Sequence, residues 1–353
     1  MGMGTKKIVT WVGSSLIMGV IVIGAAFTVN AQTPPSDFSL QVTPSPLVAT
    51  LKPGTTTELE LKIRNAGTST ENLKIVPRSF TVDKKTGEVK LDDTAPAEIS
   101  PWISYSDPTF TIKPGEWFTQ KVRISLPKNS GFSYSFAQII SRANNPDPTS
   151  AGRLIKGSLA VFTLINVDRP GATRSVAVTD YSTTQPVYEY LPATIETTFK
   201  NTGNTIVQPY GNVFIQHSTK DTTPISTLPV NDKKGYILPG SERTLDTQWT
   251  DGFPYYKITK LSDGTEKRTE VWDWSKVSQF RIGRYTAKLV AVYNDGKRDI
   301  PIEKEITFWI LPWKIMLGAL VIVGILAFGI WTILRKLWTT IRRGKKRKSK
   351  TDK

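Results

Sequence analysis

Aromatic side chains crowd one stretch of this chain. Trp249, Phe253, Tyr255, Tyr256, Trp272 and Trp274 all fall between residues 249 and 274. The stretch can be drawn as a hairpin: Tyr255–Leu261 runs out, the chain turns at Asp263-Gly264, and Thr265–Trp274 returns. Residues two apart on a strand share a face, so Trp272 and Trp274 stand side by side, with Tyr256 opposite them. Flat rings in such an array can stack on sugars or anchor a protein partner. They can equally pack a hairpin onto its own domain. Trp249, Tyr255, Tyr256, Trp272 and Trp274 are the candidate binding residues. Lys257, Lys260, Lys267 and Arg268 surround the turn, where cations would meet acidic polymers or form a solvated, edge-protecting face.

Catalytic chemistry has little to stand on. His217 is the only histidine and there is no cysteine, so neither a Ser-His-Asp grouping nor a thiolate metal site can be assembled with any specificity. Asp92-Asp93 is a weak calcium signal, because that ion takes about 6–8 oxygen ligands. No Gly-rich phosphate loop lies between a strand and a helix. A pair of converging carboxylates is invisible at this level. The expectation is a binding protein, not an enzyme, with no cofactor and no metal.

The elements that must position the aromatic stretch read as β. Thr57–Asn65 and Lys121–Leu126 alternate polar and apolar residues, the pattern of strands with one buried face. Leu159–Val167 and Tyr285–Tyr293 are apolar on both faces, as central strands are. A repeat links the two halves. Pro53-Gly54 precedes a strand ending in Asn65-Ala66-Gly67-Thr68, and Thr194–Phe199 ends in Asn201-Thr202-Gly203-Asn204. Pro114-Gly115 and Pro239-Gly240 each open a later strand, at Phe118–Leu126 and Leu245–Trp249. Two copies of one sandwich plan explain this better than one large sheet. The junction is expected near Asp168-Arg169-Pro170-Gly171.

Two uncharged apolar runs bracket these elements. Ile8–Val29 follows Lys6 and Lys7 and has the parts of a secretory signal, with a cleavage rule met at Val29-Asn30-Ala31; an uncleaved anchor is its rival. Ile315–Leu334 is long enough to cross a bilayer at about 1.5 Å per residue. Trp313, Trp331 and Trp338 mark its ends, where tryptophan favours the headgroup level. Arg342, Arg343, Lys345, Lys346, Arg347 and Lys348 follow it and suit both stop-transfer and contact with anionic headgroups. Because basic flanks stay in the cytoplasm, the chain is expected in the cell membrane, single-pass, with an extracellular N-terminal region and a cytoplasmic tail. Of the net charge of +16, nine units follow Leu334 and two are Lys6 and Lys7, leaving +5. The high pI is therefore a topology signal and gives no reason to expect nucleic acid as a partner.

The expected fold class is all-β: two tandem immunoglobulin-like β-sandwich domains plus one C-terminal transmembrane helix. The boundaries are 1–31 for the signal, 32–168 and 171–311 for the sandwiches, 312–336 for the helix and 337–353 for the tail.

A run of short motifs supports this plan. Phe38-Ser39-Leu40-Gln41-Val42-Thr43-Pro44 opens the first domain and Pro53-Gly54 follows. Trp102-Ile103-Ser104, Phe110–Glu116, Val122–Pro127, Gly131-Phe132 and Ala137 complete the set. In this the chain resembles the peptidoglycan-binding domain of the WxL-interacting proteins of Gram-positive bacteria, and more loosely the immunoglobulin-like domain of pilus chaperones. The resemblance covers about residues 38–168 and the overall order of parts. It implies a membrane-anchored binding or scaffold protein at the cell surface, with the lipid bilayer and peptidoglycan or another surface protein as partners. Its rival is an assembly factor that holds a client strand at an open sheet edge. The motif residues are strand starts, turns and a core tryptophan, so no functional residue follows from them.

Overall fold

The computed structural model describes residues 38–83, 87–145, 149–150, 153–154, 157–218, 221, 223–261 and 264–348, with side chains described up to residue 339. The expected signal segment and Asp263 of the expected turn lie outside the described residues.

The first half forms β1 (Leu40–Thr43), β2 (Leu47–Leu51), β3 (Thr56–Asn65), β4 (Glu71–Arg78), β5 (Phe80–Val82), β6 (Val89–Leu91), β7 (Ile103–Tyr105), β8 (Thr109–Ile112) and β9 (Trp117–Ser125). It continues through β10 (Ser133–Arg142), β11 (Thr149–Ser150), β12 (Arg153–Leu154) and β13 (Ser158–Val167). Two sheets, ordered β1-β3-β9-β7 and β2-β13-β10-β4-β8, face each other. Their inward residues, among them Leu61, Ile63, Ile75, Ile124, Phe136 and Val161, form one core. The β5–β6 hairpin covers the far side of the second sheet through Phe80 and Leu91, which pack with Ile139, Ala160 and Phe162. That cover is why β13 is apolar on both faces.

The second half forms β14 (Val176–Thr183), β15 (Val187–Tyr188), β16 (Ala193–Asn201), β17 (Tyr210–Gln216), β18 (Ser226–Val230), β19 (Glu242–Trp249), β20 (Tyr255–Lys260), β21 (Glu266–Val271), β22 (Gly283–Asn294) and β23 (Asp299–Ile310). Sheets β14-β16-β19 and β15-β23-β22-β17-β18 close over a core that includes Ile195, Phe199, Val213, Trp249, Tyr285 and Phe308. The described residues are therefore all-β, with two immunoglobulin-like sandwiches and, among them, a single α-helix, α1 (Trp313–Lys348).

The repeat seen in the sequence has a physical purpose. Asn65 is fully buried; its Nδ2 donates to the carbonyls of Ser69 and Ile112, at 2.7 and 3.0 Å, and its Oδ1 accepts from Gly67 N at 2.9 Å. Asn201 is also fully buried and makes the same three bonds, to Thr205 O at 2.7 Å, Ile237 O at 2.9 Å and Gly203 N at 2.9 Å. The backbone follows suit, since Gly115 N donates to Asn65 O and Gly240 N to Asn201 O. Both of these glycines hold φ near +70 to +76°, which a side chain would resist. Each asparagine thus joins a strand end to the turn of a neighbouring strand and leaves no buried polar group unmatched.

The sandwiches meet through hydrogen bonds as well as the linker. Asn166 at the end of β13 donates from Nδ2 to Ile206 O at 3.2 Å and accepts from Ile206 N at 2.8 Å. Ser133 Oγ donates to Asn204 O at 3.1 Å. At the expected junction, Arg169 donates to the Ser130 carbonyl and lies 5.1 Å from the centre of the Phe132 ring.

Candidate functional site

The aromatic stretch divides into a core part and two surface parts. Trp249 is fully buried. Its Nε1 donates to Ser226 Oγ at 2.9 Å, and its ring meets Tyr285 edge-on at 5.0 Å. The alternation of β19 accounts for this, since Thr247 and Trp249 point inward while Asp246 and Gln248 point out. Trp249 is therefore a core residue and leaves the set of surface candidates.

The hairpin does form, with Tyr255 opposite Val271 and Tyr256 opposite Glu270. It ends sooner than expected: β21 stops at Val271, and Trp274 opens a 3-10 turn, Trp274–Gln279, in which Ser275 N donates to the Asp273 carboxylate. That turn chemistry separates Tyr256 from the tryptophans. Tyr256 OH donates to Glu189 Oε2 at 2.8 Å, on the inner side of the hairpin. Trp272 and Trp274 lie 5.8 Å apart, each against Phe253 at 5.7 and 5.3 Å, and they are 43% and 69% exposed.

Between the hairpin and the outward face of β16 and β19 lies an open groove of about 740 Å³. Glu196, Asp246 and Asp251 line its floor, Lys260, Glu266 and Arg268 its hairpin side, and Lys276 of the 3-10 turn completes the lining. Tyr255 is half-buried at the rim, with Lys276 Nζ 5.1 Å from its ring centre. The groove carries charges of both signs and suits a polar, extended ligand more than an apolar one.

One cluster was not anticipated. Lys314, the second residue of α1, places Nζ 3.0 Å from Glu189 Oε1 and 3.6 Å from Glu270 Oε2. Trp272 Nε1 donates to the other oxygen of Glu270 at 2.7 Å. Burial is the main cause raising the Tyr256 hydroxyl pKa, reinforced by its bond to Glu189. Burial, then the charges of Glu270 and Glu189, push Tyr190 up to about 12. A lone lysine at the mouth of an apolar run was the available signal, but its two carboxylate partners lie 44 and 125 residues away in sequence.

Helix α1 contains the one stretch among the described residues that is long and apolar enough to cross a membrane, Trp313–Thr339. None of it is buried against the sandwiches. Trp313, Trp331 and Trp338 are all exposed on it, and Arg335 stacks over Trp331 at 5.4 Å. Arg342, Arg343, Lys345, Lys346, Arg347 and Lys348 continue the helix, but their side chains lie outside the described residues.

The first sandwich has a different surface feature. β13 pairs along its length with β10, but β2 covers only Thr163–Val167. No described strand pairs with the outer side of Ser158–Phe162. The alternation can be followed from the far end: Val167 N donates to Phe132 O on the β10 side, and Asp168 N to Leu51 O on the β2 side. Even-numbered residues therefore turn their backbone groups to the β2 side, and those of Ser158 and Ala160 point to the open edge.

His217 sits beside Tyr285 with ring centres 4.7 Å apart, and among the described residues no cluster of three or more His, Asp or Glu side chains is placed to hold a metal.

No protein-family model matches this chain, and no characterised protein matches it in sequence, so membership of the WxL-interacting family is not established. Solved structures similar to it include the YadV chaperone, at 10% identity and a TM-score of 0.33 over 76% of this chain and 99% of that one. The CupB2 chaperone of Pseudomonas aeruginosa matches at 9% and 0.33 over 75% and 99%. The E. coli chaperone DraB matches at 13% and 0.32 over 67% and 97%. At these identities and scores the likenesses carry no argument about function or partner.

Proposed function

We propose that this is a membrane-anchored surface protein that holds a segment of another protein by strand addition along the open edge of β13. The supporting observation is that no described strand pairs with the outer side of Ser158–Phe162, beside a stretch of the same strand that already accepts β2 in parallel. An extended peptide entering there would continue the β2 position and bond to the backbone groups of Ser158 and Ala160. Strand addition draws affinity from the main chain, so it needs no dedicated side-chain site. The basic grip on a client carboxylate that a pilus-type chaperone would use is not offered by Arg169, which is engaged with Ser130 and Phe132. Capture by the edge itself fits these contacts. The solved structures named above are of chaperones, which is in line with this reading and adds no weight to it. Contact with peptidoglycan remains an implication of the motif resemblance alone.

Two binding experiments with the full chain in detergent test the proposal. Incubated with total surface protein, the chain should retain specific clients, and hydrogen exchange at Ser158 and Ala160 should slow on capture. Incubated with purified wall sacculi freed of protein, it should show no saturable binding. Saturable sacculus binding with no retained client would overturn the strand-addition reading and favour a wall ligand.

A further inference from the structure

The end of the second sandwich from which α1 departs carries an uncovered apolar rim. Gly283, the first residue of β22, pairs with Ile310, the last of β23, and α1 begins at Trp313. Ile282 and Phe280 therefore lie at the same end as the start of the helix. A backbone bridge joins Phe280 to Phe253, against which Trp272 and Trp274 pack. Trp272 also donates to Glu270, the carboxylate that Lys314 approaches at 3.6 Å. The segment thus reaches the foot of the helix through Glu270. Trp272, Trp274, Val277, Phe280 and Ile282 are exposed by 39–69%. A contiguous apolar surface of this kind marks a binding face.

We infer that this rim rests in the headgroup layer of the bilayer that α1 crosses, so that the second sandwich lies directly on the membrane. Continuity carries the inference. Only Leu311 and Pro312 separate β23 from the helix, and Leu311 N is bonded to Tyr188 O. Lys314 is bracketed by Glu189 and Glu270, so the first turn of the span is tied to the sandwich. A domain held within two residues of a span cannot stand clear of the lipid surface. Tryptophan is the side chain best suited to that depth, with a large ring and one N–H to satisfy, and Trp313 on the helix lies at the same level. The charged groups on the rim agree with this setting. Asp273 is occupied by Ser275 and Lys276 lies over Tyr255. Arg281 Nε donates to Asp251 O, and its guanidinium lies over the Trp249 ring at 5.7 Å.

The inference rests on α1 spanning the bilayer, and the test separates the two. The chain has no cysteine, so single spin labels can be placed at V277C on the rim, L326C in the helix and K257C on the hairpin. In proteoliposomes of the full chain, the label at 326 should meet oxygen and exclude a water-soluble nickel complex, and the label at 257 should do the reverse. The label at 277 should read between them, with an oxygen-to-nickel ratio severalfold above that at 257. Adding Trp274→Ser and Phe280→Ser should return residue 277 to the aqueous ratio while the melting temperature holds. An aqueous reading at 277 with 326 in hydrocarbon would overturn membrane docking alone. An aqueous reading at 326 would overturn the span. Shielding of 277 from both reagents with dipolar broadening would assign the rim to a second copy of the chain and also overturn the inference. S278C repeats the measurement if V277C fails to fold.

Discussion

The two sandwiches are built on the same internal device and have been finished in opposite ways. In each, a buried asparagine makes three side-chain hydrogen bonds, two to its own turn and one to the residue that leads into a neighbouring Pro-Gly turn. The first sandwich then covers one outer sheet face with the β5–β6 hairpin and, among the described residues, leaves half of β13 open along its edge. The second lays its β20–β21 hairpin over a polar groove and turns its apolar side chains towards the foot of α1. A common core plan therefore leaves the outer faces and edges as the parts that can differ, because they are not needed to satisfy the buried backbone.

The largest effects should come from the two cores. Trp249→Ala and, in the other half, Phe136→Ala each remove a fully buried ring and should cost about 3–5 kcal/mol. Calorimetry should show whether each lowers one transition or both; a shift of both by Trp249→Ala would mean that the Asn166–Ile206 junction makes the sandwiches one cooperative unit. Next come Asn65→Ala and Asn201→Ala. Each leaves two carbonyls and an N–H without partners, at about 2–4 kcal/mol. Denaturant melts giving unequal losses would break the equivalence of the two asparagine networks.

Alkaline pH should act on the second sandwich through Tyr190. Its hydroxyl is pushed up to about 12 in the folded chain, from an ordinary value near 10. A raised folded value binds the proton more tightly than the unfolded chain does, so this stability is present below about pH 10. It should fade as pH rises towards 12. Melting curves over this range should lose ground less steeply in Tyr190→Phe.

The smallest stability effects are expected at the two finished surfaces, where function should change instead. Ala160→Pro deletes an N–H that faces the open edge and spares the β10 ladder, so stability should move by less than about 1 kcal/mol. Client retention should nonetheless be lost. Trp274→Ala, at a 69% exposed side chain, should change stability by about 0.5 kcal/mol or less. If the same substitution abolished client binding and left membrane depth unaltered, the division of labour between the two halves would be wrong.

Much of the fold was legible from periodicity. The alternation at residues 57–65 and 121–126 lies within β3 and largely within β9, and the apolar runs at 159–167 and 285–293 lie within β13 and β22. The repeated Asn-x-Gly and Pro-Gly motifs located equivalent turns, because only a few residues tolerate those backbone angles. The aromatic stretch was legible as a hairpin but not as a site. Trp249, Trp272 and Trp274 look alike in sequence, and only the inward phase of β19 sends Trp249 to the core while the turn at Asp273 turns Trp274 out. The open edge of β13 left no mark in its residues either, since a strand's own sequence does not say how much of it a neighbour will cover.

By itself the sequence determined the β character, the paired sandwich plan and the apolar helix, all of which depend on local period and turn chemistry. The tertiary structure decided which part of β13 no described strand covers, which rings are buried, and that Lys314 meets Glu189 and Glu270. Those outcomes depend on contacts between strands far apart in the chain, and no local pattern encodes such distances.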